Sequence, residues 1–137
     1  MLIAVARRRL RQRVASRVEA HGLTPQQFWA LINIDEADGP SLSQIAERLR
    51  MDAPRASRAV TQLLKRRWVA AEGDRGDRRR LRLRLTHSGR GKIAHLRRLA
   101  AELRGAAFYG LMREEEATLR ALLRKIIANL DQSAGDA

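Results

Sequence analysis

One stretch decides what this chain can become. Over residues 41–89, two short helical patterns meet across a polar break and run into an arginine-loaded alternation. Leu42, Ile45, Ala46 and Leu49 recur at the i, i+3, i+4, i+7 spacing of one buried helix face. Arg50-Met51-Asp52 interrupts that pattern, with Asp52 placed to cap the next helix and Pro54 just inside it. In the second pattern Ala56, Val60, Leu63 and Leu64 turn inward, while Arg55, Arg58, Gln62, Lys65 and Arg66 share the outward face. A short helix, a turn and a helix with a basic, hydrogen-bonding outer face meet the requirements for reading DNA in a major groove.

The alternation that follows is the sharper signal. Leu81, Leu83 and Leu85 alternate with Arg82 and Arg84, the period of two of a half-buried strand, and Trp68-Val69-Ala70-Ala71 supplies a partner strand. Between them, residues 73–80 form a turn-rich tip carrying Arg75, Arg78, Arg79 and Arg80. A tip of this kind suits a narrow minor groove, whose negative potential attracts arginine. The pattern is that of a winged helix-turn-helix with a two- or three-stranded β-wing.

A chain of 137 residues is one domain by the usual prior and long enough for a core. It contains no cysteine, which excludes disulfides, zinc-thiolate sites and thiol redox sensing. Three prolines and few aromatic residues leave a mainly α fold as the simplest expectation outside the hairpin. Of the formal net charge of +13, residues 50–90 carry +9, so the excess sits on the second helix and the wing. That concentration is the footprint of a phosphate-binding surface rather than of a uniformly basic protein. The opening MLIAVARRRL is too short for a secretory apolar region, and no stretch approaches the ~20 apolar residues of a membrane span. A cytoplasmic location with no membrane partner is expected.

Leu2, Val5, Ala6, Leu10, Val14 and Val18 form a ragged helical stripe in the first segment, crowded by Arg7, Arg8, Arg9, Arg11 and Arg13. Those arginines read first as a solvated face and second as supplementary phosphate contacts. Thr24-Pro25-Gln26-Gln27 opens the next helix with a cap hydroxyl, a proline and a glutamine three residues on, and Asp38-Gly39-Pro40 stops it. Ser41 or Ser43 caps the helix after that. Thr86 caps a long helix with Ile93, Leu96, Leu99, Ala100 and Leu103 on one face, and Gly105, Phe108, Tyr109 and Gly110 mark a bend or break. Glu114, Glu115 and Glu116 open the last helix, which continues through Leu119, Leu122, Leu123, Ile126, Ile127 and Leu130. The tail from Ser133 to Ala137 is expected to fray. So much leucine and isoleucine exceeds what one small winged module can bury, which implies a partner surface.

Three pieces carry a family resemblance: GLTPQQFWALINI at 22–34, LSQIAERLRMDAPRASRAVTQLLKRRWV at 42–69 and DRRRLRLRLTHSGR at 77–90. Together they resemble the MarR (multiple antibiotic resistance regulator) family of bacterial transcription regulators. The most diagnostic residues are Asp77 and Arg79 of the wing, followed by Leu85, Thr86 and Gly89. With the flanking helices the resemblance covers nearly the whole chain. It implies a single MarR-like domain, with residues 22–86 as the DNA-binding module and 1–21 and 87–133 as dimerisation helices. Leu10, Leu119, Leu122, Leu123, Ile126, Ile127 and Leu130 are the dimer candidates, the partner being a second copy. One departure is Arg67, where members often have the glycine that suits a left-handed helix cap.

Within the recognition helix, Arg55, Ser57 and Arg58, following Pro54, are assigned to base edges, and Thr61, Gln62 and Lys65 to phosphates. In the wing, Asp77 is expected to hold an arginine, with Arg75 and Arg78 pointing outward beside Arg79 and Arg80. Family members bind small aromatic or phenolic effectors; here Arg11, His21, Phe28 and Trp29 are the candidates for such a cleft, each also readable as core or surface. The three histidines form no HExxH motif and no Ser-His-acid spacing stands out, so neither catalysis, metal nor cofactor is expected. Two functions remain in view: a dimeric, sequence-specific regulator of double-stranded DNA, often a ligand-released repressor in this family, and a charge-driven DNA-packaging protein. The mixed donors and acceptors of Ser57 and Gln62 among the arginines favour the first.

Overall fold

The computed structural model of the chain describes residues 1–135. Its elements run α1 (Leu2–Glu19), α2 (Pro25–Glu36), α3 (Leu42–Arg48), α4 (Ala53–Lys65), β1 (Val69–Gly73), β2 (Leu81–Leu85), α5 (His87–Ala107) and α6 (Arg113–Gly135). Residues 1–103 form one compact unit and the described residues from 104 onward a second.

Local chemistry sets the boundaries in the first unit. Thr24 and Gln27 form a capping box at the start of α2, and Ser41 and Gln44 form another at α3. In each box the side chains and backbone N–H groups satisfy one another, filling donors that a helix start leaves open. Asp52 caps α4 by accepting a hydrogen bond from the Arg55 N–H, and Pro54 lies in the first turn. These starts match the sequence expectation residue for residue, with Ser41 rather than Ser43 in the cap.

The helix ends hold two surprises. At α4, the Trp68 N–H donates to the Leu63 carbonyl and the Arg67 N–H to the Leu64 carbonyl. This double closure requires a left-handed residue at position 67, and Arg67 adopts it with φ of 59°. Arg50 does the same after α3, with φ of 50° and matching bonds from Arg50 to Glu47 and from Met51 to Ala46. Arginine thus fills a glycine role in the turn of the helix-turn-helix and at the end of its second helix.

The core centres on Phe28, Leu31, Ile45 and Leu63, all at most 2 % exposed. Val69 and Leu83 of the wing, Val14 and Val18 of α1, and Ile93, Leu96, Leu99 and Leu103 of α5 belong to the same cluster. The core is therefore not confined to residues 22–86. Two expected core positions turn outward: Leu42 is exposed at the start of α3, and Leu81 is exposed near the wing tip. Leu49, Leu64 and Leu85 pack only partly against the cluster.

The wing is an antiparallel pair with Val69 opposite Leu85 and Gly73 opposite Leu81. Trp68 precedes the strand instead of starting it, because its backbone closes the end of α4. A third strand is reduced to one bond, from the Leu83 N–H to the Pro40 carbonyl. The Leu-Thr-x-x-Gly motif joins the wing to α5. Thr86 Oγ1 accepts from the Gly89 N–H and donates to the Arg67 carbonyl, at 3.0 and 2.6 Å. A β-carbon at Gly89 would stand 2.1 Å from the Trp68 carbonyl oxygen, so only glycine fits there.

In the second unit, α5 continues without interruption through Gly105, and the break comes at 108–112 with Gly110 at φ of 83°. The Met112 N–H donates to Glu115 at the start of α6. Helix α6 runs through Gly135, so the expected fraying at Ser133 is not seen; Asp136 and Ala137 lie outside the described residues. Among the described residues no side chain of α6 is buried. Leu119, Leu122, Leu123, Ile126, Ile127 and Leu130 are all exposed along it. No helix is long and apolar enough to cross a membrane among the described residues.

Candidate nucleic-acid interface

Helix α4 is strongly two-faced. Ala56, Ala59, Val60 and Leu63 are buried, which fixes the helix against α2 and α3. Pro54, Arg55, Arg58, Thr61, Gln62 and Lys65 are exposed on the opposite side, and Ser57 is half-buried at the edge. The outward row is the one read from the sequence, with one exception. Arg66 turns back: its guanidinium donates to the Gly22 carbonyl and lies 5.0 Å from the Trp68 ring centroid. Lys92 approaches the same ring at 5.6 Å. Arg66 is thus a surface brace between α4 and the α1–α2 turn, its guanidinium engaged by a carbonyl and a π-face.

Charge in the wing divides the same way. The strand arginines are paired: Arg84 bridges Asp38 at 3.1 Å and Glu72 at 3.3 Å, and Arg82 faces Asp74 at 3.7 Å. The Arg84–Asp38 pair ties the wing to the connection between α2 and α3. At the tip, Arg75, Arg78, Arg79 and Arg80 are exposed, and none has an ion-pair partner among the described residues. Their charges are available to an incoming polyanion, whereas Arg82 and Arg84 each already sit beside an acid.

Asp77 has a different job from the one expected of it. Its carboxylate accepts the Arg79 backbone N–H at 3.0 Å, and its carbonyl accepts from Arg80. Asp74 similarly accepts from the Gly76 N–H, and the Asp74 N–H donates to the Arg80 carbonyl. The two acids therefore shape the tip as side-chain-closed turns and leave the arginine side chains free.

The four residues assigned to an effector cleft do not line one cavity. Phe28 is fully buried in the core, which removes it from any cleft, because its spacing on α2 is that of the inward face. Trp29 is half-buried with its ring edge-on to Phe28, centroids 4.8 Å apart. His21 faces His95 instead, ring centroids 4.8 Å apart. Arg11 lines a separate open cleft beside Thr24, Arg55 and Arg58. Among the described residues no group of three or more His, Cys, Asp or Glu side chains is arranged to hold a metal.

A capped helix pair, an exposed basic face on the second helix and an arginine-tipped hairpin together define a winged helix-turn-helix protein. The pattern that describes the MarR family matches residues 21–80. An uncharacterised HTH-type transcriptional regulator of Bacillus subtilis, YybA, is 27% identical over 110 residues, covering 80% of this chain and 73% of that one. A probable transcriptional regulator from Pseudomonas aeruginosa is 31% identical, with a TM-score of 0.70 over 90% of this chain and 96% of that one. The Bordetella bronchiseptica protein BpsR, whose DNA binding is regulated by 6-hydroxynicotinic acid, is 25% identical with a TM-score of 0.80, over 91% and 89% of the two chains. The chain belongs to the MarR family of transcription regulators.

Proposed function

We propose that the protein is a sequence-specific regulator that binds double-stranded DNA as a homodimer on a pseudo-palindromic site and represses there. The observation that carries this reading is the exposed row Arg55, Arg58 and Gln62 on a helix locked by its buried face, beside four unpaired tip arginines. A rigid helix of mixed donors and acceptors discriminates bases in a major groove, while the tip arginines suit the adjacent minor groove. Arg55, Ser57 and Arg58 take the base edges. Thr61, Gln62 and Lys65 take phosphates.

Homodimerisation is supported by the uncovered apolar row of α6 and by Leu2, Ile3 and Leu10 exposed on α1. A two-fold dimer repeats each recognition helix about one DNA turn away, so an inverted repeat is the matching site. Release by a small aromatic acid is proposed by analogy with BpsR; of the residues first assigned to a cleft, Arg11, His21 and Trp29 stay accessible.

Hydroxyl-radical footprinting of a bound duplex tests this reading. Two protected blocks one helical turn apart, flanked by minor-groove protection, are expected. Even protection along the duplex would instead indicate sequence-tolerant packaging.

A further inference from the structure

The first helix carries exposed arginines, and one of them stands beside the recognition helix. Arg11 of α1 and Arg55 and Arg58 of α4 line a single open cleft of about 380 Å³, with Gln62 at its edge. No acidic residue lines that cleft. Arg55 shares Asp52 at 3.3 Å, across a solvent-exposed pair; Arg11 and Arg58 have no ion-pair partner among the described residues. Thr24, Gln26 and Gln27 also line it, with Thr24 Oγ1 and Gln27 Oε1 each accepting a backbone N–H in the capping box.

Arg11 is also held in place. It lies one turn before Val14, which with Val18 is buried in the core of the module, so α1 is fixed against α2 and cannot swing its arginine away without opening that core. Arg11, Arg55 and Arg58 give the cleft a positive potential, and a phosphate oxygen there can accept charge-assisted hydrogen bonds from the Arg11 guanidinium.

We propose that this cleft is a seat for one DNA backbone phosphate, held by Arg11 of the first helix at the flank of the base-reading Arg55 and Arg58. The proposal rests on the DNA-binding reading above and extends the contact surface from the helix-turn-helix and wing to α1. Seating a phosphate there anchors the N-terminal end of α4, the end assigned to base edges. Arg11 therefore acts on affinity and register without reading sequence.

The test compares wild-type protein, Arg11→Gln and Arg11→Lys on duplexes carrying a single methylphosphonate at successive backbone positions, together with the salt dependence of binding. Arg11 is solvent-exposed, so both variants keep the fold. Wild type should lose about tenfold in affinity at one phosphate in each half-site. Arg11→Gln should show a similar loss on the unmodified duplex and no further loss at that phosphate. Its log-affinity against log-salt slope should fall by about 0.9 per half-site. Arg11→Lys should recover most of the slope.

An unchanged slope with the wild-type methylphosphonate pattern would overturn the proposal. So would a slope unchanged in the variant while it loses thermal stabilisation by free sulfate, which would assign the cleft to a small anion. The slope comparison runs on any duplex the protein binds. Absence of base preference in the wild type would therefore overturn the regulator reading without touching the seat.

Discussion

Two single residues mark where backbone geometry and side-chain identity disagree or agree. Arg67 sits left-handed at the end of α4, a conformation that costs a residue with a β-carbon roughly 1–2 kcal/mol. Arg67→Gly removes that strain but frees the unfolded chain, so a net stabilisation of about 0.5–1 kcal/mol is expected, read as a raised urea midpoint. A lowered midpoint would mean that the Arg67 side chain does more than cap. Gly89 is the opposite case. A β-carbon would strike the Trp68 carbonyl oxygen, which already accepts the Thr86 N–H, so Gly89→Ala should destabilise by at least about 2 kcal/mol. Wild-type denaturation of that variant would show that the wing and α5 can separate cheaply. The position of Gly89 was legible as part of a recognised motif, but its reason was not, because the close approach joins two distant pieces of chain. The left-handed Arg50 was invisible, since nothing in an arginine signals positive φ.

At the level of elements, helix starts were readable and surface pairings were not. Capping boxes and the Asp52 cap depend on residues three positions apart, so Thr24, Ser41 and Asp52 announced themselves locally. Which arginines stay free depends on acids brought from elsewhere in the chain. Asp38 meets Arg84 across 46 residues, and no pattern in the wing alone points to it. The consequence is a contrast between two wing arginines. Arg78→Ala should weaken DNA binding and lower the salt slope by about one per half-site while the fold is unchanged. Arg84→Ala should leave the slope near wild type, because that charge is already paired. Equal slope losses in both would erase the division between tip and strand. On the recognition helix, Arg58→Ala should cost about 1–3 kcal/mol and relax preference at one base position per half-site. A uniform loss over all sequences, with no position relaxed, would move Arg58 wholly to the phosphate class.

For the whole molecule the apolar rows matter most. Leu119, Leu122, Leu123, Ile126, Ile127 and Leu130 recur along α6 at helical spacing, and every one is exposed in the single chain. An isolated protein rarely leaves such a row in water, so the excess leucine visible in the sequence translates into an unmet need for a partner. Leu123→Arg should sediment as a monomer and lose affinity for an inverted repeat; a dimer mass would take α6 out of the interface. The sequence pattern also spoke to the DNA-binding face, through the +9 carried by residues 50–90. It did not speak to the meeting of Arg11 with Arg55 and Arg58, because only the folded unit sets α1 beside α4.

Selection of bound duplexes from a random DNA library at about 0.15–0.2 M salt, where purely electrostatic binding is weakened, tests the central claim most directly. A dimer that reads sequence through α4 enriches an inverted repeat with half-site centres about 10 bp apart. Recovery of unenriched DNA at that salt, from a protein that binds every duplex when salt is low, would contradict sequence reading and leave charge alone as the basis of binding.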